Sequence, residues 1–352
     1  MKILFVVQGE GRGHFTQSIA LAEQFQKAGH QICCTLVGLP KNRKIPDFYK
    51  KLNISPLFSY NTLSIQYNKG YTQISLSKTI LNSLRFILSK QIKKGISTID
   101  SCIKEYQPDL IINFYEPLFG LYSFLRETPC RYITIAHQYM IFSKRSYYST
   151  NFFYSIFLKL FSSLCIGRAN EIYALSMYKW SDFSKQNIKT ISPLLRSDVT
   201  EGVDKVTKGG FILCYILNQG YANDLIDWHN DNSDIEIHAF WDNFSLPSEY
   251  RINDKLTFHH IDDKKFLAKM ASCDGVITTA GFETICEAAY YNKPILMIPA
   301  HPEQEINAKE FSSLGLGIIS KNMNPSLLLS QIKRESFPRT KVCPITELLT
   351  DK

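Results

Sequence analysis

The sequence predicts an α/β protein built from two doubly wound, Rossmann-like domains that face each other across a cleft. The chain has 352 residues, more than one hydrophobic core usually holds and enough for two domains of about 150 to 200 residues. Short apolar runs alternate with helix-like segments in both halves, as in βαβ units. The charge also changes along the chain. Residues 1–195 carry 24 Lys and Arg against 10 Asp and Glu, and the remainder carries 16 against 22.

The first half contains four apolar runs that read as buried strands, at 3–7, 32–37, 110–114 and 132–136. A helix is predicted from about His14 until Gly29, which resembles a C-terminal capping glycine. One long helix is predicted over 77–106, because apolar residues recur there at helical spacing with basic residues between them.

The second half restarts after a polar linker at about 192–210, which contains Ser192-Pro193 and Gly209-Gly210. Further strands are predicted at 211–217, 235–240, 256–259, 275–277 and 295–298. We therefore expect an N-terminal domain over 1–194 and a C-terminal domain over 195–335. A tail, 336–352, is expected to pack back on the first domain.

The composition excludes several classes of protein. Nine cysteines form no CxxC pair, which indicates reduced thiols and a cytoplasmic protein rather than a disulfide framework or a zinc site. No apolar run reaches about 18 residues, so no transmembrane helix is expected. The basic first half favours an anionic surface or acceptor, but no nucleic-acid-binding motif accompanies it, so no nucleic acid partner is expected.

A glycine-rich loop, residues 8–14, follows the first strand and ends in Gly13-His14. Its spacing is GxGxG rather than GxGxxG, and no acidic residue ends the second strand, which disfavours a nicotinamide dinucleotide. His14 stands where the helix begins. A histidine there either caps the loop or accepts a proton near neutral pH.

The most specific pattern lies in the second half, where two apolar runs stop at polar segments. The first stops at Thr279-Ala280-Gly281-Phe282, ahead of Glu287, and the second stops ahead of Glu303-Gln304. Ligands of open α/β sheets bind at the carboxyl ends of strands. A helix N-terminus, a carboxylate and an amide at these ends suit a nucleoside diphosphate joined to a sugar.

At these residues the chain resembles the GT-B glycosyltransferases. It is similar in particular to the bacterial lipid-linked N-acetylglucosaminyltransferases of peptidoglycan synthesis and to related UDP-sugar transferases. Residues 9–23 and 258–316 carry the resemblance, and the second block is the more specific. Arg12-Gly13-His14 matches the family's Gly-Gly-His signature except that Arg replaces its first glycine.

The resemblance implies that the N-terminal domain binds the acceptor and the C-terminal domain binds the nucleotide-sugar donor. It also implies a role for each matching residue. His14 would be the general base, with Gly13 beside it, and Ile261 would contact the nucleobase through its backbone. Amides of the turn Thr279, Ala280, Gly281 and Phe282 would bind the diphosphate together with Arg196. Glu287 would bind the ribose hydroxyls, and Glu303 with Gln304 the hydroxyls of the donor sugar.

The chemistry implied is inverting transfer of a sugar from a nucleoside diphosphate sugar to a hydroxyl acceptor, and the resemblance favours a UDP-sugar as the donor. Glu116, after the strand at 110–114, is the candidate to orient His14, and Glu10 is its rival. No Asp-x-Asp triplet occurs, so neither a metal nor another cofactor is expected. A nucleotide-sugar epimerase of this architecture and a non-catalytic binder of nucleotide sugar or lipid are the alternatives.

The acceptor half also suggests a membrane. Arg85, Lys90, Lys93 and Lys94 are interleaved with apolar residues at helical spacing, and a second stretch, 147–157, is rich in Tyr and Phe. Basic residues beside aromatic ones suit an anionic lipid interface. A lipid-linked acceptor and a peripheral position on the inner face of the cell membrane are therefore one interpretation. A core helix with a solvated face is the other.

Overall fold

The computed structural model describes residues 1–41, 43–64, 66, 75–144, 152–179, 181–185, 187–202, 206–216 and 219–332. The chain forms two compact units, and the boundary between them lies between Arg196 and Ser197. The tail that the sequence analysis set apart, 336–352, lies outside the described residues, as do 147–151 of the aromatic stretch.

The first unit is built on a parallel sheet in the order β3-β2-β1-β4-β5-β6-β7. Its strands are β1 Lys2–Gln8, β2 Gln31–Leu39, β3 Leu57–Asn61, β4 Leu110–Phe114, β5 Arg131–Ala136, β6 Glu171–Leu175 and β7 Ile188–Ile191. Its helices are α1 Gly13–Lys27, α2 Asp47–Lys51, α3 Leu76–Ile87, α4 Lys90–Tyr106, α5 Pro117–Leu125 and α6 Phe152–Ile166, with a 3₁₀ helix at His137–Phe142.

The central strands of the first unit, β1, β2 and β4, are buried along nearly their whole length, as expected where helices cover both faces of a parallel sheet. From Ile3 to Val7, the side chains of β1 are completely buried. Helices α4 and α5 approach closely at Gly95, where a Cβ atom would collide with Leu118. At Gly120 of α5, a Cβ atom would collide with the backbone carbonyl of Leu164 in α6. Glycine therefore sets the spacing between neighbouring helices.

The single long helix predicted over 77–106 is wrong, since the structure has two helices, α3 and α4. Ser89 separates them in an extended conformation, with φ −87° and ψ 161°. Its hydroxyl donates to the carbonyl of Phe86 and accepts from the amide of Gln91. Serine competes for backbone groups in this way and therefore favours a helix N-cap over a helix interior.

The second unit is built on the sheet β10-β11-β9-β8-β12-β13-β14, which is parallel except for the edge strand β10. Its strands are β8 Phe211–Tyr215, β9 Glu236–Trp241, β10 Glu249–Arg251, β11 Leu256–His260, β12 Gly275–Thr278, β13 Ile295–Met297 and β14 Ile318–Ile319. Its helices are α7 Ser197–Thr200, α8 Gln219–Asn230, α9 Asp263–Ser272, α10 Phe282–Tyr290, α11 Pro302–Ser313 and α12 Pro325–Ile332.

Two parallel-dominated sheets with helices confirm the predicted α/β class. The strands that the sequence predicted are present with boundaries that differ by one or two residues where described. The sequence analysis missed the short strands β3, β6, β7, β10 and β14. Among the described residues, no helix combines the length and the hydropathy that crossing a bilayer requires.

A pair of histidines, half-buried His238 and buried His259, joins β9 to β11 in the second unit. Lys269 of α9 donates to Nε2 of His238 (2.8 Å), and Nδ1 of His238 lies 3.0 Å from Nε2 of His259. Glu236 and Glu249 flank the pair at 3.2 Å and 3.8 Å. Burial, reinforced by the charge of Lys265, lowers the pKa of His259 to about 4, and burial also lowers the pKa of His238.

This pair predicts that the second unit loses stability in mild acid. Between the ordinary histidine pKa of about 6.5 and the folded value of about 4, the unfolded chain binds more protons, so stability falls as the pH falls through this window. For His259 the loss is on the order of 3 kcal/mol. We expect His259→Phe to flatten the pH dependence of the free energy of unfolding between pH 6.5 and 4.

The measurement is denaturant unfolding at several pH values, followed by fluorescence, to which Trp228 and Trp241 of the second unit contribute. An equal slope in the wild type and the variant would contradict this prediction.

Candidate active site

In the first unit, the candidate site lies where the strand order reverses. The chain leaves β1 towards β2 and leaves β4 towards β5, so the segments after these two adjacent strands diverge at the carboxyl edge of the sheet. Such a switch point is the usual ligand site of an open α/β sheet. His14 follows β1, and Tyr115 and Glu116 follow β4 directly.

The glycine-rich loop is held against the end of β2. The amide of Gly9 donates to the carbonyl of Gly38 (2.8 Å), and a Cβ atom on Gly9 would collide with Leu39. Helix α1 then begins at Gly13, with Arg12 at the N-cap position making no side-chain cap. The guanidinium of Arg12 lies over the ring of Phe48, 5.1 Å from its centroid. The loop thus delivers the N-terminal turn of α1 to the switch point.

His14 is the second residue of α1, and its side chain is buried. Nδ1 lies 3.2 Å from Oε1 of Gln17, one turn further along the helix. The imidazole stacks on the ring of Tyr115, with 5.6 Å between centroids and 24° between planes. The structure therefore joins His14 to two residues that the sequence analysis did not single out.

Tyr115 is held in an uncommon backbone conformation. Its φ of 60° lies in the left-handed region, which is costly for a side chain of this size. Its hydroxyl hydrogen-bonds with that of Ser162 on α6 (2.8 Å), and its ring packs against Tyr139 and Phe161. These contacts fix the ring against which His14 lies.

Glu116 is fully buried and caps α5. One oxygen accepts from the hydroxyl of Thr62 and the amide of Leu118, and the other accepts from the hydroxyl of Tyr60 (2.7 Å) and the amide of Phe119 (2.6 Å). Burial raises the pKa of Glu116, and the four hydrogen bonds oppose that rise. These donors tie β3 to the start of α5, so the contacts of Glu116 are structural. Its orientation of His14 stays a prediction.

In the second unit, the switch point lies between β8 and β12, and the turn after β12 carries Thr279, Ala280 and Gly281. Ala280 has φ 65°, in the left-handed region, and its carbonyl accepts from Nδ2 of Asn307 (3.0 Å). Asn307 lies on α11 and is buried. This bond fixes the strained residue from which the chain enters α10.

Gln304 links the two strand ends of this unit. Its Oε1 accepts from the amide of Ala300 (2.9 Å) after β13, and its Nε2 donates to Oγ1 of Thr279 (3.3 Å) after β12. Because both ends of the amide have partners within the unit, Gln304 fixes the spacing of the two loops. The structure thus brings together the two segments that the sequence analysis paired.

Gly281 is the N-cap residue of α10 and has an ordinary conformation, with φ −65° and ψ 131°. A Cβ atom added to it would have its nearest contact 4.0 Å away, at Oγ1 of Thr284. Neither backbone strain nor packing therefore requires glycine here. The missing side chain instead leaves space at the start of the nine-residue helix α10, where a ligand could approach the backbone amides.

The remaining predicted residues have these positions. Glu287 is buried on α10, beyond its first turn, and Phe282 begins that helix. Glu303 is half-buried in the first turn of α11. Ile261 follows β11, and its amide donates to the carbonyl of Trp241 (3.2 Å), so a backbone contact to a base would use its carbonyl. Arg196 is buried and is the last residue of the first unit.

His301 is a residue of this region that the sequence analysis did not assign. It occupies the N-cap position of α11, and burial lowers its pKa although Glu303 and Glu305 oppose that shift. In the part of the chain that the structure describes, no group of three His, Cys, Asp or Glu side chains is placed to hold a metal ion.

Comparison with known proteins identifies the family of the chain. The family model for glycosyl transferase family 1 matches residues 1–334. The chain is 24% identical over 360 residues to an uncharacterized glycosyltransferase of Methanosarcina mazei, which covers 96% of this chain and 91% of that protein. An uncharacterized glycosyltransferase of Methanosarcina acetivorans is also 24% identical, over 355 residues covering 95% and 87%.

Solved structures share the fold at low sequence identity. The glycotransferase of kitacinnamycin has a TM-score of 0.63 and 12% identity, covering 95% of this chain and 91% of that one. Acinetobacter baumannii MurG has a TM-score of 0.52 and 15% identity, covering 94% and 90%. These similarities confirm the GT-B fold that the resemblance implied. The family match extends over nearly the whole chain. The chain therefore belongs to glycosyl transferase family 1, and it is a sugar-transferring enzyme with the GT-B fold.

Proposed function

We propose that the protein is an inverting glycosyltransferase that moves a sugar from a UDP-sugar to a hydroxyl acceptor. The observation that carries the donor half of the proposal is the turn Thr279–Phe282. Asn307 and Gln304 hold this turn from α11, and Gly281 leaves its amides approachable. Fixed amides at a helix N-terminus are suited to a diphosphate.

Three of the predicted donor contacts involve residues of the second unit. The carbonyl of Ile261 would accept from the base, and the buried carboxylate of Glu287 would accept from the ribose hydroxyls. Glu303, in the first turn of α11, would bind the sugar. Two structures of similar fold support UDP as the nucleotide. One is described as LpCGTa in complex with UDP, and the other as Arabidopsis thaliana UGT89C1 complexed with UDP.

Breaking the bond to the sugar leaves negative charge on the diphosphate. Amides of Gly281 and Phe282 and the guanidinium of Arg196 would stabilise this charge, since preorganised donors act most strongly where charge develops. The sequence contains no Asp-x-Asp triplet for a metal-bridged diphosphate. Metal-independent transfer without a further cofactor is therefore part of the proposal.

His14 would supply the base for the acceptor. A neutral imidazole can take the hydroxyl proton as the oxygen attacks the anomeric carbon. The positive end of the α1 dipole disfavours an imidazolium at this position and so helps to keep the base neutral. Attack from the face opposite the diphosphate gives a product with inverted anomeric configuration.

The acceptor is proposed to be lipid-linked, at an anionic membrane surface on the cytoplasmic side. Helix α3 exposes Ile80, Leu81, Leu84 and Ile87, and α6 exposes Phe152, Phe153 and Leu160. Helices α3 to α6 pack in sequence along the unit, and exposed Lys90, Lys93 and Lys94 begin α4. Apolar side chains beside basic ones match an anionic lipid interface, where each Lys contributes about 1 kcal/mol.

His14→Asn is expected to lower turnover by at least about 100-fold, because general base catalysis typically contributes that much. The affinity for UDP should stay within about twofold of wild type, since His14 is assigned to the acceptor. The measurements are product formation with a panel of nucleotide sugars and membrane extract, and calorimetry with UDP. Equal losses of turnover and UDP affinity would contradict the assignment of His14 as the base.

The products formed by the wild-type protein separate the alternative functions. An epimerised donor would favour a nucleotide-sugar epimerase, and no product from any donor would favour a non-catalytic binding protein.

Two variants should separate the diphosphate contact from the ribose contact. Gly281→Ala should weaken binding of both UDP and inorganic pyrophosphate, because a methyl group would occupy the approach to the amides. Glu287→Ala should weaken binding of UDP but not of pyrophosphate, which has no ribose hydroxyls. Calorimetry with the two ligands is the test.

Gly281→Ala should also unfold close to the wild-type temperature, since φ −65° suits alanine and the added Cβ atom would make no contact shorter than 4.0 Å. If Gly281→Ala binds both ligands normally, the diphosphate does not lie on this turn. If Glu287→Ala loses pyrophosphate equally, Glu287 supports the fold rather than the ribose.

The membrane contact predicts binding to vesicles that contain anionic phospholipid at low salt, with weaker binding at high salt because charges are screened. Leu84→Asp and Phe153→Asp should each reduce co-sedimentation with these vesicles. Phe244→Asp in the second unit is the matched control, since Phe244 is as exposed as Leu84 or more so. Equal effects of all three substitutions, or none, would count against this surface.

A further inference from the structure

We infer that Gln17 is a positioning residue that orients the His14 imidazole and fixes its tautomer, so that Nε2 is the atom that receives the acceptor's proton. This inference rests on the proposed function of His14 as the base, and it names the partner that the sequence analysis sought among carboxylates.

The contact relates the orientation of the amide to the position of the proton. Oε1 of Gln17, which accepts hydrogen bonds and cannot donate, lies 3.2 Å from Nδ1 of His14. With the amide in this orientation, the hydrogen bond forms when Nδ1 carries the hydrogen. In a neutral imidazole the other nitrogen, Nε2, then has the lone pair, which is the state that a general base requires.

The surroundings restrict the ring further. His14 and Gln17 lie three residues apart on α1, where side chains share a helix face, and both are buried. Tyr115 stacks on the ring and is itself held by Ser162 and Phe161. The hydrogen bond sets the rotation of the imidazole in its plane, and the stacked phenol restricts its tilt.

An amide partner has a different electrostatic effect from a carboxylate. A carboxylate beside Nδ1 would favour the imidazolium, whereas a neutral amide orients the ring with much less effect on its charge. The phenol of Tyr115 stacks on the ring, and the loop before α1 carries the charged residues Glu10 and Arg12. Glu10 accepts from Gln8 (3.5 Å), and Arg12 lies over Phe48.

The direct test is the ¹⁵N spectrum of the folded protein labelled at histidine. The His14 signals are identified by their loss in His14→Asn. We expect the wild type to show hydrogen on Nδ1 of neutral His14, and Gln17→Leu to show a mixture with the Nε2–H tautomer. A wild type with hydrogen on Nε2, or an unchanged tautomer in Gln17→Leu, would overturn the inference.

Kinetics supply a readout that a merely structural residue would not move. Gln17→Leu should lower kcat about tenfold with little change in KM. Gln17→Glu is nearly isosteric and should shift the rising limb of the pH–rate profile to higher pH, because its carboxylate stabilises the imidazolium. Gln26→Leu and Gln26→Glu, at an exposed position of the same helix, are the controls and should change neither quantity. An unshifted limb in Gln17→Glu would contradict the inference.

The two hypotheses fail in different ways. If His14→Asn retains turnover, the proposed base is wrong even when the spectra show the Nδ1–H tautomer. If His14→Asn is inactive but Gln17 substitutions alter neither the tautomer nor the pH profile, the base stands and the positioning role of Gln17 is wrong.

Discussion

The reversal of strand order at the centre of each sheet is the constraint on which the rest of the structure depends. In the first unit the chain leaves β1 and β4 in opposite directions, and in the second unit it leaves β8 and β12 in opposite directions. Right-handed crossovers then place the connecting helices on opposite faces of each sheet, and the strand ends between them are left uncovered. His14 follows one such strand, and the turn at Gly281 follows another.

Each unit also places a strained residue beside its switch point. Tyr115 and Ala280 have φ 60° and 65°, and neither is glycine. The hydroxyl of Tyr115 hydrogen-bonds with that of Ser162, and the carbonyl of Ala280 accepts from Nδ2 of Asn307. Such strain costs about 1 to 3 kcal/mol and persists only where surrounding contacts over-determine it. The strained conformation of Tyr115 places its ring against His14, and that of Ala280 leads into the amides at the start of α10.

Much of this arrangement could be predicted from the sequence, because it depends on short-range patterns. Apolar runs between glycine-rich and polar turns identify buried parallel strands, and His14, Thr279 and Gln304 stand where those runs stop. The break at Ser89 was missed because the apolar spacing on both sides of it is helical. The exposure of the apolar side chains of α3 could not be predicted either, because periodicity identifies an apolar helix face but not what covers it.

The partners of the site residues depend on contacts between distant segments, which one sequence does not reveal. Glu116 follows a strand and looked suited to orient His14, and its oxygens accept from Tyr60 and Thr62 at the end of β3. Its orientation of His14 stays a prediction. Gln17 passed unnoticed because a glutamine within a helix is ordinary. Asn307 was missed because its partner is a carbonyl 27 residues away.

Hydrogen exchange of backbone amides, measured by mass spectrometry with and without saturating UDP, tests the central claim most directly. If the donor lies at the strand ends of the second unit, peptides that cover 278–290 and 256–266 should show the greatest protection. UDP that binds by calorimetry but protects only peptides outside these segments would contradict the account.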